Sequence, residues 1–229
     1  MPDTKFSLPA LAEHIRKYLW VYLVGIALCL VGTGLLWTTT APHPSIEETV
    51  VVALADTYCN GDPLAPVAED MLEQTRPFDE RLKAVEFQSL MYQEEDYTSS
   101  MVLLTRLSVG EIDAFLAGQG AMDALVRSEV LVDLTESVEG GWLAEYGLEP
   151  YVAEYQDDET GEHYSIMAGL RLDRLDALRE MGALYNEGAY LCVTGNGGNV
   201  ETTMKALETL VRDLTEGDYA QPENTEPAA

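Results

Sequence analysis

Residues 108–126 read SVGEIDAFLAGQGAMDALV, and the fold turns on this segment. A helix ends at Gly110, an apolar burst over 112–116 follows with one acid, Asp113, set inside it, glycines frame a turn at 118–120, and a second helix starts at 121. The expectation is a strand over 111–116, an exit loop over 118–120 and a short helix over 121–127. Helix, strand, turn and helix in this order form the repeating unit of an α/β domain, whose apolar strands are covered by helices.

The same alternation extends in both directions. Residues 49–55 (TVVVALA) are a β-branched run without polar alternation, as expected of a strand buried on both faces. Residues 56–62 (DTYCNGD) form a turn cluster, and Pro63 opens a helical pattern carried by Leu64, Val67, Met71 and Leu72. A second strand, imperfectly alternating as near a sheet edge, is predicted over 81–91 and a helix over 98–109. Downstream, 130–134 are apolar and 140–162 read as irregular, with Trp142, Tyr146, Tyr151 and Tyr155 and an acidic hairpin tip at 157–161. Strands over 163–170 and 189–194, a helix over 172–181 between them and a final helix patterned by Val200, Met204, Leu207, Leu210, Val211 and Leu214 complete the domain. The expected fold class is α/β: one three-layer α/β/α domain over 49–216 with a mostly parallel sheet. Residues 217–229 read as a disordered acidic tail.

Ahead of this domain no Asp, Glu, Lys or Arg occurs between Lys17 and Glu47, and 19–37 (LWVYLVGIALCLVGTGLLW) are almost wholly apolar. Nineteen helical residues approach the thickness of a hydrocarbon core. Tyr18, Trp20, Tyr22 and Trp37 stand where aromatic rings favour the membrane interface. The expectation is a single transmembrane helix over 18–37 and a tether over 38–48. Lys5, Arg16 and Lys17 place residues 1–17 in the cytoplasm, so that the α/β domain is extracytoplasmic at the cell membrane. A cleaved signal with small residues at Thr39 and Ala41 is the alternative, but its apolar region is normally shorter, about 7 to 15 residues.

Charge excludes one class of partner. Thirteen basic residues stand against 40 acidic ones, a net charge of −27. Lys5, Arg16 and Lys17 against Asp3 and Glu13 leave residues 1–40 at +1, so the remainder carries −28. Phosphate-backbone binding needs clustered Lys and Arg, and nucleic acid is therefore not an expected partner. Of the three cysteines, Cys29 reads as a small apolar residue of the membrane helix. Cys59 and Cys192 permit one disulfide in an oxidising compartment, although buried free thiols are the favoured reading.

Three segments resemble one family. LSVGEIDAFLAGQGAMDALVRSEVLVDLTE, GEHYSIMAGL and AYLCVTGNGGNVETTMKALETLV are similar to the helix–strand–helix unit, the lobe-crossover strand and the late strand–loop–helix of type 2 periplasmic binding proteins. They resemble in particular small single-pass membrane proteins of Gram-positive bacteria with one solute-binding-like lobe. The resemblance implies an extracellular binding fold over about residues 49–215. It also implies a departure, since 170–188 leave no room for the second lobe that closes on a ligand.

Open α/β sheets bind ligands at the carboxyl ends of their strands. Three loops are expected to converge there, offering Asp56, Tyr58 and Asp62, then Gln119, then Asn196 and Asn199 as ligand-binding residues; Asn199 also reads as the N-cap of the last helix. Asp113, at a strand entrance, is expected to bond nearby backbone. Neither HExxH nor CxxC occurs, the acidic runs at 94–96 and 157–159 lack EF-hand spacing, and no GxSxG elbow is present. The expectation is a non-catalytic domain without metal or cofactor, acting as a protein-interaction or accessory module of a membrane complex; a small-solute or cation receptor is the alternative. The first predicts an exposed apolar patch near Trp142, Tyr146 and Tyr151, the second a polar, partly aromatic cleft.

Overall fold

The computed structural model describes residues 8–40, 44–139, 142–156, 160–185 and 187–216. Two compact units meet between His43 and Pro44. Residues 1–7 with Lys5, expected from sequence to be cytoplasmic, and the stretches 157–159 and 217–229, expected to be part of a hairpin tip and a disordered acidic tail, lie outside the described residues.

The first unit is one helix, α1 (Leu8–Thr40), interrupted by a kink at Tyr18, where φ is −110° and ψ 15°. Its segment Arg16–Gly34 is long and apolar enough to cross a membrane by length and composition, a description that a signal sequence also meets. The helix overruns the expected 18–37 at both ends. Residues 38–40, read from sequence as tether, are helical, and Ile46–Glu48 form a 3₁₀ turn. That turn belongs to the second unit, where Glu48 accepts from the Ser45 N–H at 3.1 Å and from Lys83 Nζ at 2.6 Å.

The second unit holds strands β1 (Thr49–Asp56), β2 (Ala84–Met91), β3 (Ala114–Gly118), β4 (Pro150–Gln156), β5 (His163–Arg171) and β6 (Ala189–Val193) in one sheet of order β2-β1-β3-β6-β5-β4. Helices α2 (Ala65–Thr75), α3 (Tyr97–Val109), α4 (Gln119–Arg127), α5 (Thr135–Glu139), α6 (Asp176–Glu180) and α7 (Val200–Glu216) complete it. The period-two geometry of β1 divides its side chains between two cores. Val50, Val52 and Leu54 join Val67 and Met71 of α2 and Leu207, Leu210 and Leu214 of α7 on one face. Val51, Ala53 and Ala55 join Leu103 and Leu107 of α3 and Ala121, Met122 and Leu125 of α4 on the other. The three-layer arrangement follows from that division.

The sheet is mixed rather than mostly parallel. β1 pairs in parallel with β2 and β3, whereas β3–β6, β6–β5 and β5–β4 are antiparallel. A parallel crossover takes a dozen or more residues and usually a helix. The helix expected over 172–181 shrinks to the five residues of α6, and the Leu172 N–H donates to the Ala189 carbonyl at 2.9 Å, so β5 and β6 are joined as a long-looped hairpin. Two further differences concern strand limits. The predicted strand over 111–116 begins three residues later and runs into α4 without an exit loop, and the irregular stretch contains β4, with Ala153 and Tyr155 buried between exposed neighbours.

Asp113, ahead of β3, is buried and accepts from the Val51 N–H at 2.8 Å, while its own N–H donates to the Val51 carbonyl at 3.0 Å. This clamp sets the register of β3 on β1, and its carboxylate role is the backbone-bonding one read from sequence. Cys192 is fully buried in the α3/α4 core, whereas Cys59 packs on the α2/α7 core; both thiols are free.

Candidate functional site

The strand order places one crevice. α2 and α3 leave β1 and β2 on opposite faces of the sheet, so the chain reverses its winding between β1 and β3, the position at which open α/β sheets hold ligands. Asp56 ends β1 and Gly118 ends β3, and the Asp56 carboxylate lies over Gly118, where an added Cβ would come within 2.7 Å of it. That close approach is what requires glycine at 118. Burial pushes the Asp56 carboxyl above its ordinary range, partly offset by a bond from the Thr57 N–H at 2.6 Å.

Around this carboxylate the loop after β2 and the start of α4 come together. The Tyr92 N–H donates to the Asp56 carbonyl at 2.9 Å, and Tyr92 and Glu94 flank Gly120 in the first turn of α4. Gln119 donates to Asp123 at 2.8 Å and accepts from the Tyr190 hydroxyl at 2.7 Å. Tyr190 stacks edge-on against Tyr151 with centroids 4.8 Å apart. Burial, with the Asp123 charge adding to it, raises the Tyr151 hydroxyl. The edge thus offers carboxylates and phenol rings without a basic side chain among these residues, a composition that suits a cation or amine and repels anions. The thiol at this edge, Cys59, is held neutral by burial and is a poor nucleophile.

The structure separates the residues expected to share this site. Asp56 and Gln119 are neighbours across Gly118. Tyr58, half-exposed, turns to Tyr185 at 5.8 Å beside a hollow of about 230 Å³. Asp62 is exposed in a different hollow of about 440 Å³ between α2 and the free edge of β2. Asn196 and Asn199 are at the opposite end of the sheet, because β6 runs antiparallel to β3 and Val193 pairs with Ala114 at that strand's beginning. There Asn196 Nδ2 donates to the Leu107 carbonyl at 3.4 Å, and Asn199 Nδ2 to the Glu47 carbonyl at 3.2 Å. Asn199 does stand at the N-cap position, its carbonyl accepting the Thr203 N–H at 2.8 Å, but its side chain secures the domain's entry segment. The three-loop convergence is therefore corrected to a two-loop one.

Tyr92, Glu94, Asp123, Tyr151 and Tyr190 were not among the expected site residues. The first two were legible, since a loop following a parallel strand must lie at the same edge as Asp56. Tyr190 and Tyr151 belong there only once the antiparallel half of the sheet is known.

The apolar patch expected at Trp142, Tyr146 and Tyr151 does not form from its tyrosines. Tyr146 packs on the α2/α7 core and Tyr151 on the α3/α4 core, on opposite faces of the sheet; the Trp142 side chain lies outside the described part. A different apolar surface is present on α3, where Tyr97, Met101, Val102, Leu104 and Val109 are 77%, 44%, 41%, 46% and 58% exposed. Asp96 caps the helix by accepting from the Thr98 and Ser99 N–H groups, and Gly110 ends it in the left-handed region at φ 72°. The one charge within α3, Arg106, is bonded to Gln88 Oε1 at 2.8 Å.

Among the described residues no group of three or more His, Cys, Asp or Glu could hold a metal ion. No protein-family model, curated protein or solved structure matches the chain.

Proposed function

We propose that the protein is a membrane-tethered, non-catalytic interaction module, anchored by α1 with its amino end in the cytoplasm and its α/β domain outside, serving a membrane complex. The observation that carries the reading is the uncharged outer face of α3. In a chain of net charge −27, solvated helices are expected to carry acids, whereas this helix presents Tyr97, Thr98, Met101, Val102, Leu104, Thr105, Ser108 and Val109. Exposed apolar surface of this kind marks interaction sites. The likeness of three segments to a type 2 periplasmic-binding-protein lobe is part of the proposal and rests on those segments alone.

The test is a photoreactive benzoylphenylalanine replacing Met101 in cells that make the full chain. Irradiation is expected to give protein adducts at least about fivefold above those from the same group at exposed Glu154. Equal yields at the two positions would remove the interaction reading.

A second reading, a cation or small-solute receptor, is favoured by the Asp56, Glu94 and Tyr190 edge. That edge is one open wall, and without burial on both sides polar contacts contribute little, so dissociation constants weaker than about 10 µM are expected. A thermal-shift screen of divalent cations, amines, amino acids and sugars should find no saturable ligand below about that value. One hit abolished by Asp56→Ala would install the receptor in place of the module.

A further inference from the structure

We infer that the partner of the α3 face is a second copy of this chain, the two α3 helices packing antiparallel about a two-fold axis. The inference rests on the reading of a membrane-tethered interaction module and names what that module binds. Tyr97, Met101, Leu104 and Ser108 follow one another at spacings of four, three and four residues, which aligns them along one stripe of α3. This is the narrow seam by which one helix packs along another.

The seam is complementary to itself in one direction. With the axis between Val102 and Leu103, the antiparallel arrangement sets Tyr97 against the partner's Ser108 and Met101 against the partner's Leu104, so the largest side chain meets the smallest. A parallel arrangement sets Tyr97 against its own copy. Beside the seam, Tyr92, Ser100, Leu103, Leu104, Ala124 and Arg127 line a hollow of about 280 Å³ between α3 and α4, on the same surface as the projecting Met101. A knob and a hole on one patch are what an isologous interface needs.

Charge selects among occupants. A basic partner is drawn to the acid-rich remainder of the domain and gains nothing from a helix with no Asp or Glu. Two copies of a strongly acidic domain repel each other wherever carboxylates meet; the stretch Tyr97–Val109 holds none, and exposed Glu94 and the partner's Glu111 oppose each other only at the two ends of the seam. Three helical turns bury less than the roughly 800 Å² per partner of a stable interface, so the pair is weak in dilute solution. A shared membrane raises the effective concentration to about the millimolar range, where a weak pair is populated.

The experiment uses the full chain in phosphatidylcholine vesicles, with the photoreactive residue at Met101 and an equal amount of isotopically heavy chain. A covalent light–heavy dimer is expected at least tenfold above the Glu154 control. Leu104→Glu, at a half-exposed position and expected to leave the circular dichroism unchanged, should remove it. Tyr97→Ser and Ser108→Tyr should each reduce the yield severalfold, and the two in one chain should restore it, a rescue that only antiparallel self-pairing produces. Dimers insensitive to Leu104→Glu would assign association to α1 and overturn the inference, as would adducts to lipid alone or none. Adducts in cells to a different protein, with no chain–chain product in vesicles, would leave the interaction module standing and remove only self-pairing.

Discussion

Phe115→Ala is expected to destabilise the α/β domain by about 3–5 kcal/mol, read as a fall in the denaturant midpoint of the full chain in micelles. Phe115 is on β3 and is the largest fully buried side chain of the core that α3 and α4 cover. Its loss removes the transfer free energy of the ring and leaves a cavity that a sheet clamped on both sides cannot collapse. Two comparisons give the number its meaning. Leu116→Ala, one residue on and buried against α2 and α7, should cost about 2–5 kcal/mol because the strand feeds both cores. Leu104→Ala, on the outer face of α3 and 46% exposed, should stay within about 0.5 kcal/mol. A Phe115 cost near that of Leu104 would mean that α3 and α4 do not cover the sheet as described.

The same residues show how far the sequence could be read. The run 50–55 has no polar member, so burial on both faces was legible, and the strand is flanked on both sides by β2 and β3. Alternation along 81–91 marked an edge, and β2 is one. Direction was not legible. The run 189–194 is as apolar as 49–55 and carries no mark of whether it runs with β3 or against it; the Leu172 to Ala189 bond that decides this joins backbone groups, which any sequence supplies. That one ambiguity moved Asn196 and Asn199 from the expected site to the far edge. The missed strand β4 did leave a signal, since Tyr151, Ala153 and Tyr155 alternate with Val152, Glu154 and Gln156 just before an acidic turn and a second β-rich run. The α3 surface had a signal of a different kind, the lack of any acid in 97–109 of a chain with 40.

Asp113→Ala should cost about 1–3 kcal/mol, because it leaves the Val51 N–H buried without an acceptor at the point where β3 is registered on β1. Asp113→Asn keeps an acceptor oxygen and should be milder, and the pH dependence separates charge from hydrogen bond. Burial raises the Asp113 carboxyl above its ordinary value of 3.8, with the Val51 N–H pulling the other way. A carboxyl that binds its proton more tightly when folded opposes folding once ionised, and that penalty fades as pH falls through the folded value towards 3.8. The wild-type chain should therefore gain stability relative to Asp113→Asn as pH is lowered from about 7 to about 4. Asp79 has the opposite sign. The Arg81 guanidinium, then the Arg81 N–H, and the Thr202 hydroxyl at the start of α7 hold it down at about 2. Its contribution is complete above about 3.8 and is lost as pH falls through about 2, so the excess stability of wild type over Asp79→Asn should be flat near neutrality and shrink only in strong acid. Parallel pH curves for Asp113→Asn and wild type would show that the carboxylate is not desolvated at this strand entrance. The clamp on Val51 would then be a hydrogen bond that a neutral amide serves equally well.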